Sequence, residues 1–264
     1  MELEVTLLGT GTSQGVPVIG CDCEVCTSTD PRDQRLRTAA LVRFAGRAIA
    51  IDCGPDFRQQ MLCAGVKSLD AVLLTHEHND HIIGLDDLRP FNFRAWAEMP
   101  VYCTERVSAE LGIRFSYIFK QENRYPGAPM IQRHIITAGA SFEVFGLPII
   151  PVEVLHGRLP ILGFRMGDFA YLTDVRSIEE QELKKVLGLR HLVLNALHHK
   201  EHHSHLNLEQ ALALIRRIGP EHAYLTHASH SMGLYEDVQR ELPPNVTLGY
   251  DGLTFRASSP GRPY

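Results

Sequence analysis

One short run of residues brings together four side chains that bind transition metals. Residues 75–81 are Thr-His-Glu-His-Asn-Asp-His, directly after an apolar run that predicts a buried strand. Side chains two positions apart on an extended segment point to the same side, so His76 and His78 can bind one ion. Asp80 and His81 lie beyond the predicted turn and face a second position. Imidazole and carboxylate together favour Zn, Mn or Fe over Ca or Mg.

Three further polar residues also stand at the ends of predicted strands. His156, Asp174 and His227 each come directly after a run of mainly apolar residues. Taken singly, such a residue is as typical of a cap or a turn as of a binding site. A sheet, however, delivers strand-end side chains to one edge, so their shared placement predicts that the three residues complete a two-metal site.

Three of the six cysteines fall close together. Cys21, Cys23 and Cys26 lie in a Gly/Pro-containing loop at about residues 20–27, and in a reducing compartment this spacing predicts a metal site rather than a disulfide framework. A closed structural zinc site needs four ligands, and His230 is the expected fourth. The alternative is three free thiols beside a solvated His230.

The composition is that of an ordinary globular protein. Of 264 residues, 44% are hydrophobic and 22% are charged, which is enough for a sizeable core. No break in composition marks a boundary, so we expect one domain over residues 1–264. The net charge of −5 argues against a global attraction to nucleic acid or to an anionic membrane. Neither a signal peptide nor a membrane span is visible, so we expect a cytoplasmic protein without membrane contact.

Apolar runs and helical periodicity predict a chain in which strands and helices alternate. Strands are predicted at 4–8, 39–44, 48–52, 70–74, 101–103, 131–137, 142–145, 148–155, 162–166, 169–173, 191–195, 223–226, 246–248 and 252–256. Helices are predicted at 56–64, 85–96, 105–115, 178–187, 208–218 and 235–242, and a surface loop at 123–129. Strands in runs with helices outside them predict an α/β architecture of two packed sheets flanked by helices.

These motifs together resemble the metallo-β-lactamase superfamily of hydrolases. The resemblance runs from Leu7-Leu8-Gly9-Thr10-Gly11 and Ile51-Asp52-Cys53-Gly54 through the histidine run to Leu225-Thr226-His227. It implies the four-layer αββα sandwich of that family and two divalent metal ions, Mn or Zn, in one active site. It also implies that one ion is bound by His76, His78 and His156, that the other is bound by Asp80, His81 and His227, that Asp174 bridges them, and that Asp52 orients the ligand loop.

An aspartate at position 174 makes the chain similar to the phosphodiesterase and ribonuclease branch rather than to the β-lactamases. The cysteine loop further resembles the phosphodiesterases that open phosphoribosyl 1,2-cyclic phosphate in the carbon–phosphorus lyase pathway. This resemblance implies hydrolysis of a small cyclic phosphodiester by a hydroxide between two metals, with one structural Zn and a homodimer. Two ions about 3.5–4 Å apart lower the pKa of water toward about 7 and so supply the nucleophile.

The proton for the departing alkoxide must come from another side chain. His198 follows the predicted strand 191–195 and matches a catalytic histidine of the resembling phosphodiesterases. We therefore assign the general acid to His198 and count Asp80 with it in the catalytic centre. His205 is the alternative donor, although it can instead be a structural histidine that caps the following helix.

Two features are open to more than one interpretation. The loop from Gly9 to Gly15 can donate backbone N–H groups to a phosphate or form a plain turn, and it lacks the Lys-Ser/Thr ending of a P-loop. Arg37, Arg89 and Arg114 are candidates to anchor a second phosphate, and the sequence does not choose among them.

Two other functions are compatible with parts of the pattern. A tRNA 3′-end endonuclease of the same superfamily carries a long inserted arm, but His156 and Asp174 are only 18 positions apart, so a nucleic acid substrate is disfavoured. A non-hydrolytic accessory protein resembling the pyrroloquinoline quinone biosynthesis protein lacks part of the ligand set, whereas all seven ligands are present here. Hydrolysis of a thioester or lactone needs the same nucleophile and stays an alternative.

Overall fold

Two β-sheets pack face to face in the computed structural model, which describes residues 1–120, 122 and 124–259. Each sheet has seven strands, and helices cover the outer face of both. This arrangement confirms the predicted α/β αββα sandwich. Within the predicted loop 123–129, Asn123 lies outside the described residues, and residues 124–129 form no helix or strand.

The bounds of the elements follow the predicted pattern closely. The strands are β1 Glu2–Gly9, β2 Ala39–Phe44, β3 Arg47–Ile51, β4 Ala71–Leu73, β5 Met99–Cys103, β6 Ile131–Ile135, β7 Phe142–Val144, β8 Leu147–His156, β9 Leu159–Met166, β10 Phe169–Leu172, β11 His191–Asn195, β12 His222–Thr226, β13 Val246–Leu248 and β14 Thr254–Ser258. The α-helices are α1 Phe57–Cys63, α2 Asn79–Ile82, α3 Arg89–Ala95, α4 Glu105–Arg114, α5 Ser116–Phe119, α6 Glu180–Leu183, α7 Leu208–Ile218 and α8 Tyr235–Glu241. In the described part of the chain, no helix has both the length and the apolar character needed to cross a bilayer.

Parallel strands in both sheets direct their ends to one side of the molecule. The first sheet has the order β14-β1-β2-β3-β4-β5-β6, and the second has the order β13-β12-β11-β10-β9-β8-β7. Strands β3, β4, β5 and β6 are parallel to one another in the first sheet, and β10, β11, β12 and β13 are parallel to one another in the second. Because the carboxyl ends of parallel strands lie along one edge, the loops that follow them meet there.

Three apolar layers hold the sandwich together. Side chains such as Leu73, Phe164 and Tyr171 fill the space between the two sheets. Phe57 of α1 packs in the layer outside the first sheet, and Leu214 of α7 packs in the layer outside the second. Burying one such large side chain contributes about 1.5–3 kcal/mol. The layers therefore give the strand ends a rigid support.

Helix α7 shows how local sequence sets an element. Asn207 caps its N-terminus by accepting from the backbone N–H of Gln210, and the Gln210 side chain accepts from the Asn207 N–H. Gly219 ends the helix in the left-handed conformation with φ 69°. The buried positions are spaced as one helix face and comprise Leu208, Ala211, Leu214, Ile215 and Ile218.

Two predicted helices differ from the structure. The predicted helix 85–96 is a 3₁₀ segment at Ile83–Leu88 followed by α3, because Pro90 has no N–H to donate to the preceding turn and is tolerated only where a helix begins. The predicted helix 178–187 is reduced to α6 and a 3₁₀ turn at Lys184–Val186, since Leu187 is already extended with ψ 150°.

Candidate metal centre

The predicted metal ligands lie together at the edge where the parallel strands end. Asp52 follows β3, His76 follows β4, Asp174 follows β10 and His227 follows β12. His156 is the last residue of β8, which runs in the same direction as β10 because both are antiparallel to β9. Both sheets therefore contribute side chains to one site.

His76, His78 and His156 form the first ligand group. His76 Nε2 and His78 Nδ1 are 3.0 Å apart, and one nitrogen atom from each of the three rings lies within 4.8 Å of the others. Atoms that bind one ion at about 2.0–2.1 Å are roughly 3.0–3.4 Å apart in octahedral or tetrahedral geometry. The first ligand group thus fits a transition metal ion.

Protein oxygens orient two rings of this group. His156 Nδ1 donates to the carbonyl oxygen of Ser204 at 2.9 Å, which leaves its Nε2 unprotonated. His76 Nδ1 lies 3.0 Å from Thr75 Oγ1, while His76 Nε2 faces the neighbouring histidine. Such partners fix the tautomer that a metal requires.

Asp80, His81, His227 and Asp174 form the second ligand group. His81 Nε2 lies 3.3 Å from Asp80 Oδ2 and 3.4 Å from Asp174 Oδ2. His227 Nε2 lies 3.1 Å from Asp174 Oδ1. Neither Nε2 atom has a hydrogen-bond partner among the described residues, so the two nitrogen atoms are left for an ion. One Asp174 oxygen faces each histidine, and Asp174 also falls within ligand distance of His76, as a bridging carboxylate must.

Asp52 links the two sides of this ligand loop. Its Oδ1 accepts from the backbone N–H of Thr75 at 2.9 Å, and both oxygens accept from the Thr75 hydroxyl. Its Oδ2 accepts from His81 Nδ1 at 2.7 Å. Asp52 has no exposed surface, so it acts through His81 and Thr75 rather than through solvent.

Three of these residues have left-handed backbone conformations. Asp52, Asp174 and His227 have φ values of 67°, 60° and 56°. Each comes just after a strand, where the left-handed turn bends the chain and directs the side chain into the site. Such conformations cost on the order of 1–3 kcal/mol each and are concentrated at functional sites.

The electrostatics of the second ligand group are those of a cation site. Burial lowers the pKa of His227, but the Asp174 and Asp80 carboxylates outweigh it and raise that pKa to about 9. Burial likewise lowers the pKa of His81, and Asp80, Asp52 and Asp174 raise it well above its ordinary value. The carboxylates thus need positive charge, which protons supply in the metal-free protein and a divalent ion supplies when bound.

Of the two candidate general acids, His205 lies closer to the ligands. The centroid of its ring is 4.6 Å from that of His156 and 4.8 Å from that of His227. Its Nδ1 is 3.7 Å from Asp174 Oδ1. His205 is therefore within reach of both ligand groups.

His198 lies one ring farther out. Its ring contacts that of His202 at a centroid distance of 6.1 Å, and its buried Nδ1 has no hydrogen-bond partner among the described residues. The capping role considered for His205 is wrong, because Asn207 caps the next helix. The choice of proton donor stays a prediction, and the geometry favours His205.

The three arginines considered as phosphate anchors are engaged with the protein. Arg37 pairs with Asp56 at 3.1 Å and donates to a backbone carbonyl. Arg89 pairs with Asp86 at 3.2 Å. Arg114 donates to the ligand loop itself. Each of the three side chains thus already has a structural partner.

The glycine-rich loop after β1 uses several of its N–H groups internally. Gly11 N donates to Leu36 O at 2.8 Å, Thr12 N donates to Ala228 O at 3.1 Å and Gly15 N donates to Thr12 O at 2.8 Å. These groups are not available to a phosphate. Of the two interpretations of the loop, the structure favours the plain turn, which here supports the segment behind the last ligand.

The cysteine cluster surrounds one histidine nitrogen. The Sγ atoms of Cys21, Cys23 and Cys26 lie 3.3, 3.4 and 3.4 Å from His230 Nδ1. Bonds of about 2.3 Å to sulfur and 2.0–2.1 Å to nitrogen place such atoms roughly 3.5 Å apart in a tetrahedron. A hydrogen bond from the Cys26 backbone N–H lowers the pKa of Cys23 to about 6, so a thiolate is present at neutral pH. These four side chains fit a zinc ion.

The sequence interpretation missed a threonine directly before three of the ligands. Thr75 bonds to Asp52, and Thr173 Oγ1 donates to Asp174 Oδ2 at 2.6 Å. Thr226, before the last ligand, is fully buried. The repeated pair of threonine and ligand after an apolar run was the available signal.

Comparison with known proteins agrees with this geometry. The sequence model of the β-lactamase superfamily domain matches residues 47–228, which include every residue of both ligand groups. The chain belongs to the metallo-β-lactamase superfamily. The chain is 41% identical to a diphosphatase from the PhnP family, whose crystal structure superposes with a TM-score of 0.91 over 97% of this chain and 98% of that one.

Curated relatives match over part of their length. An octanoyltransferase of Porphyromonas gingivalis is 46% identical over 249 residues, which are 94% of this chain and 50% of that protein. A ribonuclease Z of a Mycobacterium species is 30% identical over 178 residues, which are 62% of this chain and 57% of that protein. The chain thus spans about half the length of these relatives. The fold, the ligand groups and the neighbours identify it as a metal-dependent hydrolase domain.

Proposed function

We propose that this chain is a dinuclear phosphodiesterase that hydrolyses a small cyclic phosphodiester such as phosphoribosyl 1,2-cyclic phosphate. The observation that carries the proposal is an imidazole, His205, placed beside both ligand groups and within 3.7 Å of Asp174. Hydrolysis of a phosphodiester releases an alkoxide, which needs a proton donor next to the metals. The similarity to the PhnP-family diphosphatase supports chemistry at phosphorus.

The donor sets assign each ion to its residues. The first ligand group would hold one divalent ion and the second would hold another, and Asp174 lies within reach of histidines of both groups. When bound, the two ions, Mn or Zn, supply a water of lowered pKa and positive charge for the phosphate oxygens. The cysteine cluster holds a structural Zn away from the chemistry. Asp52 keeps His81 in the binding tautomer throughout.

The charge of a bound phosphate controls the protonation of the His205 ring. In the metal-free protein, burial and the positive charge of His227 lower the pKa of His205 to about 2. A phosphate bound beside the ring adds negative charge and raises that pKa. A ring that has bound a proton from the solvent can then give this proton to the departing alkoxide oxygen and return to its neutral form. His198 is the alternative donor.

A diphosphate linkage is the second candidate substrate. The relative of 41% identity with a crystal structure is a diphosphatase. Hydrolysis of a cyclic phosphodiester and hydrolysis of a diphosphate both break a bond between phosphorus and oxygen. The tRNA 3′ end is a third candidate substrate, because ribonuclease Z is among the relatives. Here, however, the segment between His156 and Asp174 is occupied by β9 and β10 of the sheet, and this segment carries no arm for tRNA.

The test follows phosphorus NMR of protein loaded with Mn or Zn. The substrates are phosphoribosyl 1,2-cyclic phosphate, a 2′,3′-cyclic nucleotide, an aryl phosphodiester and a dinucleotide with a diphosphate linkage, and Asp174→Ala is the inactive control. Selective opening of the ribosyl substrate supports the proposal. Preference for the diphosphate linkage replaces it with the second candidate.

A protein that holds both ions and hydrolyses none of these phosphates contradicts the proposal. An octanoyl thioester is then the next substrate to test, because one relative is an octanoyltransferase and the same nucleophile attacks an acyl carbon. A non-hydrolytic accessory role follows if that thioester is also stable. We propose a homodimer as the working form, and light scattering of the purified protein tests it.

A further inference from the structure

Helix α4 carries an arginine that touches both segments of the first ligand group. Arg106 Nε lies 3.2 Å from Glu77 Oε1, and Arg106 Nη2 donates to the carbonyl oxygen of Pro160 at 2.6 Å. Glu77 stands between His76 and His78 in the chain. A guanidinium has no lone pair for a metal ion, so Arg106 acts on the first ligand group only through these contacts.

The second partner places Arg106 on the other ligand segment. Pro160 is the second residue of β9, the return strand of the β8–β9 hairpin, and pairs with Leu155, next to His156. The first ligand group therefore draws its nitrogen atoms from two segments, the loop after β4 and the end of β8. Arg106 contacts both segments, and Leu162 N of β9 also donates to Thr75 O at 3.1 Å. Arg106 therefore adds a side-chain link to the backbone link between the two segments.

Arg106 is the cation that pairs with the Glu77 carboxylate. Its side chain is only 12% exposed, and its Oε2 has no hydrogen-bond partner among the described residues. A largely buried carboxylate without a cation is unfavourable and tends to move. Loss of Arg106 would thus displace Glu77 and with it the two adjacent histidines.

Other contacts support the loop that carries His76, His78 and His81. Asp52 accepts from Thr75 N and from His81 Nδ1, and Arg114, at the other end of α4, donates to Glu77 O at 2.5 Å and Asn79 Oδ1 at 2.8 Å. Arg114 does not reach the β8–β9 hairpin in any described contact. Asp52 and Arg114 thus act on ligands of both groups, whereas the hairpin that Arg106 contacts carries a ligand of the first group alone.

We propose that Arg106 is a positioning residue that joins the His76–His78 loop to the His156 hairpin and thereby sets the metal affinity of the first ligand group. The inference rests on the assignment of these histidines as a metal site and not on the substrate. Supporting contacts of this kind change metal affinity by about 10–100-fold. The effect is confined to one of the two ions.

Co²⁺ titration of the metal-free protein tests this, with visible absorption and calorimetry as readouts and no turnover measured. His156→Ala and His227→Ala assign the two binding steps. We expect Arg106→Met to weaken the step lost in His156→Ala by about 10-fold and to change its Co²⁺ spectrum. The other binding step stays unchanged. Arg94→Met, which removes an arginine that contacts Lys67 O, is the matched control.

Two more variants keep the test decisive. Arg106→Lys retains a charge near Glu77 but cannot contact Glu77 and Pro160 O at the same time through a planar guanidinium. Its metal affinity should therefore lie between those of the parent and of Arg106→Met. Glu77→Gln removes one of the two contacts and shifts the same step in the same direction. Equal weakening of both steps, or no weakening of either, overturns the inference. If Arg106→Met does not fold, unchanged binding in Glu77→Gln overturns it as well.

Discussion

The His81 Nδ1 atom donates a hydrogen bond of 2.7 Å to Asp52 Oδ2, and both side chains are fully buried. Asp52 follows β3, whereas His81 lies in the loop after β4, so the bond joins the ends of two parallel strands. It turns His81 Nε2 toward Asp80 and Asp174. The orientation of this ligand is therefore fixed by the first sheet.

Asp52→Asn should lower the affinity of the second ligand group for its metal ion by about 10–100-fold. The amide lacks the negative charge that stabilises the binding tautomer of His81. Metal content after dialysis against a graded chelator series measures the loss. Asp56→Asn is the control, because Asp56 pairs with Arg37 outside the ligand groups. Equal metal retention by both variants would contradict the role of Asp52.

His205→Ala should lower kcat by about 100-fold or more while metal content stays the same. The reason is the loss of the imidazole nearest to both ligand groups. His198→Ala, measured in parallel, should change kcat less than 10-fold, since that ring lies farther out. The reverse order would return the role of proton donor to His198. Loss of metal in His205→Ala would make that residue a ligand instead.

Cys26→Ser should release one zinc ion per chain and lower the free energy of unfolding by about 1–3 kcal/mol. The hydroxyl does not replace a thiolate around His230, so the loop and the segment of His227 lose their common anchor. Metal analysis and thermal unfolding report the two effects. Cys63→Ser, at an exposed cysteine on α1, should change neither. An unaltered zinc count in Cys26→Ser would refute the structural site.

Gly54→Ala should disturb the second ligand group. A Cβ at Gly54 would lie 2.0 Å from the carbonyl oxygen of Asp80, so the backbone of the ligand loop must shift. We expect a loss of about 1–3 kcal/mol in the free energy of unfolding and weaker metal binding. Gly139→Ala, where the added Cβ meets open space, should remain within about 0.5 kcal/mol of the parent. Denaturant unfolding of metal-free and metal-loaded proteins separates the two losses.

The contribution of Asp251 to the free energy of unfolding should decrease as the pH rises from about 4 to 6. Burial raises the pKa of Asp251 from 3.8 to about 6, although its oxygens accept from Thr10 Oγ1 and Leu36 N. A group with a raised pKa stabilises the fold fully below the unfolded-state value and loses that contribution as the pH passes the folded-state value. The difference in unfolding free energy between the parent and Asp251→Asn should therefore decrease by about 3 kcal/mol over this window. A pH-independent difference would contradict the shift.

The sequence predicted which side chains meet at the strand ends because their signal is local. A polar residue after an apolar run marks a strand end, and His156, Asp174 and His227 all satisfy that rule and all lie in the centre. The sandwich followed from the same runs. The left-handed conformations of Asp52, Asp174 and His227 could not be predicted, because they depend on where neighbouring strands place the next turn.

The choice between His198 and His205 shows where local signals end. Both lie in the same polar segment, and only its closure decides which one returns to the site. Leu197 N donates to Leu206 O at 3.0 Å, and Leu206 N donates to Val175 O at 2.8 Å. These bonds bring position 205 back beside Val175, the residue directly after Asp174. Such pairing between distant segments is not visible in a single sequence.

The hydrogen bonds from His156 to Ser204 O and from His81 to Asp52 have a kinetic consequence. Each ring has its direction before any ion arrives, so binding requires little further ordering of the protein. The chain therefore resembles a macrocycle more than an open-chain chelator. An ion once bound should leave slowly, and the metal present when the protein first folds should persist through later changes in supply.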